Sequence, residues 1–158
     1  MSMRIELAHE TKSGAWSDRV MISPDAVHEI VSKQPELAWY TATCNLHGDS
    51  TGDISKDYDI LKKSGHLYFD FDSHDDINKA KDDCKKVYAH LTSALHVPVD
   101  AIKLYFSGSK GYHLVVDWDC LGLQPRTDLH ELFAKFARGL ASSEIVPFKT
   151  LDTKIYNA

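Results

Sequence analysis

Cysteine is scarce in this sequence and shows no pairing pattern. Cys44, Cys84 and Cys120 are the only 3 in 158 residues, they lie far apart, and no Cys-x-x-Cys occurs. An odd, scattered set excludes a disulfide framework and a zinc knuckle, and it fits reduced thiols in the cytosol. No apolar run is long enough to span a bilayer. The N-terminus lacks the basic, apolar and small-residue succession of a signal peptide. A cytoplasmic protein without a membrane partner is the expectation. Positive charge is not in excess either. The net charge of -5 and a pI of about 5.9 give no overall attraction to nucleic acid, so any such binding has to come from a local basic patch. Internal repeats, low-complexity tracts and interdomain linkers are absent as well.

What is present is enough for a packed domain. Hydrophobic residues make up 43% of the chain and charged residues 26%, which excludes disorder by composition and suits one domain of this length. Residues 4–8 read as a short strand and 13–18 as a turn. Ser23-Pro24 reads as an N-cap followed by proline at the first helical position. The helix it opens should run to about Lys33, bury Val27, Ile30 and Val31, and stop before Pro35. Residues 37–46 read as a strand by composition, and 47–65 as a polar loop with a helical turn at 54–61. Residues 75–95 carry a helical stripe of Ile77, Ala80, Cys84, Val87, Leu91 and Leu95. Residues 102–106 and 112–118 are two strands joined as a hairpin or tight return. Thr127 or Asp128, with Glu131 three residues beyond Asp128, opens a helix that should bury Leu129, Leu132, Phe133, Phe136 and Leu140. Residues 145–148 and 151–156 read as short extended pieces.

The chain is organised around residues 66–72, His-Leu-Tyr-Phe-Asp-Phe-Asp. Side chains on a strand alternate between faces. Leu67, Phe69 and Phe71 seal a core on one face, while His66, Tyr68, Asp70 and Asp72 share the other. Two carboxylates so close resist joint ionisation unless a cation lies between them. A divalent metal resolves this, and hard ions such as Mg²⁺ take carboxylate oxygens and share substrate phosphates. The bland alternative is a solvated strand end with Asp72 or Ser73 as a helix cap.

A second stretch runs Ser-Gly-Ser-Lys-Gly-Tyr-His from Ser107 to His113. Gly108 and Gly111 let a backbone approach a ligand closely and turn its N–H groups towards it. Ser107 and Ser109 can donate hydrogen bonds to phosphate oxygens, Lys110 supplies a point charge, and His113 adds a donor anchored on a strand. The plain alternative is a glycine-rich hairpin turn. A third place is Leu151-Asp152, where Asp152 would add the third acid that a two-ion site needs.

The order of these pieces is more specific than any one of them. An Asp-x-Asp closing an apolar strand, then a helix, then Ser-Gly-Ser-Lys-Gly-Tyr-His, then a late hydrophobic-Asp resembles the archaeo-eukaryotic primase superfamily. The likeness is greatest to the primase-polymerase domains of plasmids, phages and mobile elements, and it covers about residues 66–157. It implies an α+β fold, with an RRM-like mixed sheet carrying the acids and helices packed behind. It implies DNA primase/polymerase activity, in which Asp70, Asp72 and Asp152 are catalytic and hold two Mg²⁺ or Mn²⁺ ions. Ser107, Gly108, Ser109, Lys110, Gly111 and His113 would bind the nucleotide. Its partners would be nucleoside triphosphates, a single-stranded or primed DNA template, and a helicase domain or protein. Two departures stand out. No zinc-ligand set occurs, Cys120 with His130 being too little. The chain also stops at Tyr156-Asn157-Ala158 where family members continue with arginine-rich sequence, so the expectation is a single catalytic domain, 1–158, truncated at its C-terminal end.

Two other classes compete. A phosphatase of the haloacid dehalogenase kind also begins with an apolar strand ending Asp-x-Asp, and Asp70 would then be its nucleophile. A DxD glycosyltransferase fits less well. The non-enzymatic alternative is an RRM-like module that binds nucleic acid without catalysis.

Overall fold

The computed structural model describes residues 3–9, 11, 17, 19–37, 39–108, 110–143 and 150–156, residue 39 by its backbone alone. Ser109, residues 145–148 and most of the 13–18 turn therefore lie outside the described residues. The chain is α+β and gathers into two compact units, Met1–Gly65 with Gln124–Leu129, and His66–Leu123 with His130–Ala158. No described helix is long and apolar enough to cross a membrane.

The first unit is an antiparallel sheet of order β2-β1-β3-β4. Its strands are β1 (Met3–His9), β2 (Val20–Ile22), β3 (Trp39–His47) and β4 (Lys62–Ser64), with helices α1 (Val27–Lys33) and α2 (Ile54–Ile60). Leu7 and Leu46 are fully buried. α1 follows a 3-10 turn opened by Pro24, and Ser23 makes no side-chain cap bond. Val27, Ile30 and Val31 are half-buried, where full burial is expected from their spacing. The polar stretch 47–65 is more ordered than its composition suggests. Asp53 caps α2 by accepting from the Lys56 N–H. Asp57 is buried and accepts from the Thr51 N–H and hydroxyl, both at 2.8 Å. Lys63 is fully buried because its Nζ donates to the Thr127 carbonyl at 2.6 Å and its backbone pairs with Arg126. Satisfied donors are what allow a lysine inside at all.

The second unit carries the acids. Its sheet has the order β5-β7-β6, from β5 (Leu67–Asp72), β6 (Ile102–Phe106) and β7 (Gly111–Val116), with helices α3 (Ile77–Ser93) and α4 (Leu129–Ala141). β5 alternates as its sequence dictates, with Leu67, Phe69 and Phe71 buried and Tyr68, Asp70 and Asp72 half-buried. Burying each phenylalanine contributes roughly 1.5–3 kcal/mol. α3 presents Ala80, Cys84, Val87 and Leu91 to the core as expected, but Leu95 lies beyond the helix end and is 46% exposed. In α4, Leu129, Phe133 and Leu140 are buried with Ala134 and Ala137, while Leu132 and Phe136 are half-buried.

The expected mixed sheet is corrected to an antiparallel one among the described residues. Helix α3 does return the chain so that β6 runs in the same direction as β5. However, β7 lies between them, antiparallel to both. β6 and β7 are joined by a loop far too short for a parallel crossover, so the hairpin is forced. The last piece is also less extended than its composition suggests. Leu151 alone pairs, opposite Phe71, and 153–156 turn.

Candidate functional site

Pairing register decides which side chains meet on the polar face of the second unit. Asp70 lies opposite His113 of β7, and His113 lies opposite Tyr105 of β6. On the other side of β5, the Phe71–Leu151 bridge sets Asp152 opposite Asp70, with the Asp152 N–H donating to the Asp70 carbonyl at 2.8 Å. Directly opposed residues share a face. Asp152, Asp70, His113 and Tyr105 therefore form one row across the sheet, which holds two of the three acids expected from sequence.

One row along, Asp72 lies opposite Gly111. A Cβ on Gly111 would run into the Phe71 carbonyl oxygen and the Asp72 carboxylate. The close approach that this glycine permits is thus between two strands of the protein itself, rather than between a backbone and a ligand. Gly108 turns the loop with φ +88° and has open space around it. Ser107 closes the hairpin, its Oγ accepting from the Gly111 N–H at 2.9 Å, which leaves its own O–H able to donate.

Two of the groups expected to grip phosphate, Lys110 and His113, are turned onto the carboxylates. Lys110 Nζ lies 2.7 Å from Asp72 Oδ2, and the Asp72 contact raises the ammonium pKa. His113 Nε2 lies 3.3 Å from Asp70 Oδ1 but off line for a hydrogen bond, so that buried oxygen has no hydrogen-bond partner. Asp70 is held above the ordinary carboxylate range, first by burial and then by the Asp72 charge, with Asp152 adding to it and His113 opposing. An ionisable oxygen that is buried, unpartnered and crowded by two more acids is what a hard cation would relieve. The donor set fits Mg²⁺ or Mn²⁺ in kind. As they stand, no three His, Cys, Asp or Glu side chains converge among the described residues. Asp152 Oδ1 accepts from the Lys154 N–H at 2.7 Å, which turns that carboxylate aside.

Two residues missed from sequence hold Asp152 against β5. Asp83 of α3 is buried, and its Oδ2 accepts from the N–H and hydroxyl of Thr150 at 3.2 and 3.1 Å. The Tyr156 hydroxyl takes the Tyr68 N–H at 2.5 Å and donates to the Tyr68 carbonyl at 2.9 Å, so a side chain does the work of a neighbouring strand. Asp83 sits inside an apolar stripe, and that misplacement of an acid was the available signal. Nothing local marks Tyr156. The chain matches no family model and no curated protein.

Proposed function

We propose that this protein is a metal-dependent nucleotidyltransferase of the primase-polymerase kind, adding nucleotides from triphosphates to a 3′-hydroxyl on a DNA template. One observation carries the reading. Asp70, Asp72 and Asp152 occupy one face of one sheet beside a Ser-Gly loop, and a buried oxygen of Asp70 lacks a hydrogen-bond partner. Asp70, Asp72 and Asp152 would hold two Mg²⁺ or Mn²⁺ ions, whose chemistry is to acidify the attacking hydroxyl and neutralise the triphosphate. Lys110 can exchange Asp72 for a phosphate oxygen at little cost, because its side chain is 43% exposed and water screens an exposed ion pair. Ser107 donates its hydroxyl to the same group. His113, whose Nε2 lies 3.3 Å from Asp70 Oδ1, would orient a phosphate laid along the row by donating to it. The RRM-like likeness of the acid-bearing sheet belongs to this same proposal.

The test is binding and turnover of a labelled nucleoside triphosphate with Mn²⁺, with and without primed DNA. Asp70→Asn and Asp152→Asn should each weaken metal-dependent binding by roughly tenfold or more. Released pyrophosphate with a lengthened strand supports the reading. Template-independent release of inorganic phosphate from a phosphomonoester, with Asp70 phosphorylated, would overturn it in favour of a phosphatase. Binding that is indifferent to Mn²⁺ and to both variants would leave a non-catalytic module.

A further inference from the structure

We infer that the sheet face beside the carboxylates carries a separate subsite, a depression that takes the base and sugar of one nucleotide against Tyr68 and Tyr105. This rests on the nucleotide reading above and adds where the nucleoside end lies. A recess of about 220 Å³ opens on the same face as the acids. It exists because the central strand β7 carries a short side chain, Val115, between Tyr68 of β5 and Lys103 of β6. Val115 is 5% exposed and forms an apolar floor. Tyr105, on the next row, is 52% exposed on the edge strand and also lines the recess. Flat aromatic faces on a sheet are what unstacked bases pack against.

The rim decides between a base and a phosphate. Lys103 is the rim's ammonium, and the Asp117 carboxylate 3.0 Å from it lines the same rim, where its negative charge repels an anion whether or not this exposed pair stays closed. His66 accepts at Nδ1 from the Trp118 N–H at 3.0 Å, which keeps the proton of the neutral ring on Nε2 as a donor. A recess with tyrosine rings, an aliphatic floor, hydrogen-bonding tips and a carboxylate beside its lysine favours an uncharged heterocycle over an anion. His113 lines the recess and also reaches Asp70. A nucleotide seated on Tyr105 would therefore run its phosphates past His113 towards the acids. Successive rows lie about 7 Å apart along a strand, so the two ends of one nucleotide span them.

The experiment compares a nucleoside triphosphate with inorganic tripolyphosphate, both with Mn²⁺, on the whole chain. The parent should hold the nucleotide more tightly by roughly five- to a hundredfold, the range for stacking one base. Tyr105→Ala should bring the nucleotide to the tripolyphosphate level and leave tripolyphosphate binding unchanged, whereas Tyr105→Phe should keep most of the difference. Tyr105→Leu retains the bulk on an exposed edge without the flat ring. It should behave like the alanine variant, which covers the case that alanine disturbs the strand. Equal affinity of the two ligands for a parent that binds both through Asp70 overturns the recess alone. So does an unchanged ratio in Tyr105→Ala and Tyr105→Leu. A parent that binds neither ligand overturns the nucleotide reading and the recess together.

Discussion

Replacing Asp83 with alanine tests how the third acid is held. Asp83 Oδ2 is the acceptor for both Thr150 donors, and Thr150 is itself only 9% exposed. Removing the carboxylate leaves an N–H and an O–H buried without that partner. Each such group costs about 1–3 kcal/mol, so Asp83→Ala should lose about 2–6 kcal/mol, against a total stability of roughly 5–15 kcal/mol. Asp83→Asn is the informative contrast. An amide oxygen at the Oδ2 position keeps both Thr150 bonds. The Oδ1 pair with Lys86, at 3.2 Å to a half-exposed lysine, is lost, and that is worth about 0–1 kcal/mol. Urea unfolding read by circular dichroism measures both variants. Mn²⁺ titration then reports the site: Asp83→Ala should bind as weakly as Asp152→Asn, and the double variant no more weakly, because both changes act through one carboxylate. An alanine loss below about 1 kcal/mol, or an asparagine loss equal to it, would refute the tether.

Two further outcomes follow from the same face. Gly111→Ala drives a methyl into the Phe71 carbonyl and the Asp72 carboxylate across paired strands, and should cost about 3 kcal/mol or more in a urea melt; a near-neutral effect would mean that β5 and β7 pair in another register. Asp70, whose folded pKa is raised, binds its proton more tightly folded than unfolded. That contribution is full below the unfolded value near 4 and is lost as pH rises through the folded pKa. Asp70→Asn without divalent ions should therefore be more stable than the parent at pH 7, with the advantage shrinking towards pH 4. A difference that is flat across this window, or that grows on acidification, would count against the crowded-acid electrostatics.

Much of this architecture is written in local pattern. The alternation of residues 67–72 follows from the two-residue repeat of a strand, and the Ala80, Cys84, Val87, Leu91 stripe from the helical repeat. The hairpin around Gly108 is readable because a glycine-rich turn between two apolar runs leaves few other conformations. Where local pattern misled, burial was decided elsewhere. Lys63 is inside although lysine is rarely buried, because the Thr127 carbonyl, far along the chain, accepts from its ammonium. β2 and β4 are three residues each, too short to show a period, and exist because neighbouring strands pair with them.

For the site, the division is sharper. Sequence alone determined that Asp70 and Asp72 share a face, that apolar neighbours bury the opposite one, and that a serine-glycine turn precedes His113. It could not determine that Asp152 stands beside Asp70, that His113 reaches the same carboxylate, or that Gly111 is needed by Asp72. Those facts depend on register between strands far apart in the chain. The place of Asp152 follows from the Phe71–Leu151 bridge with the Asp83 and Tyr156 tethers, and the places of His113 and Gly111 from the pairing of β5 with β7. Short-range periodicity is a property of the backbone repeat, whereas the placing of Asp152 on the face of Asp70 and Asp72 is a property of how the folded strands align.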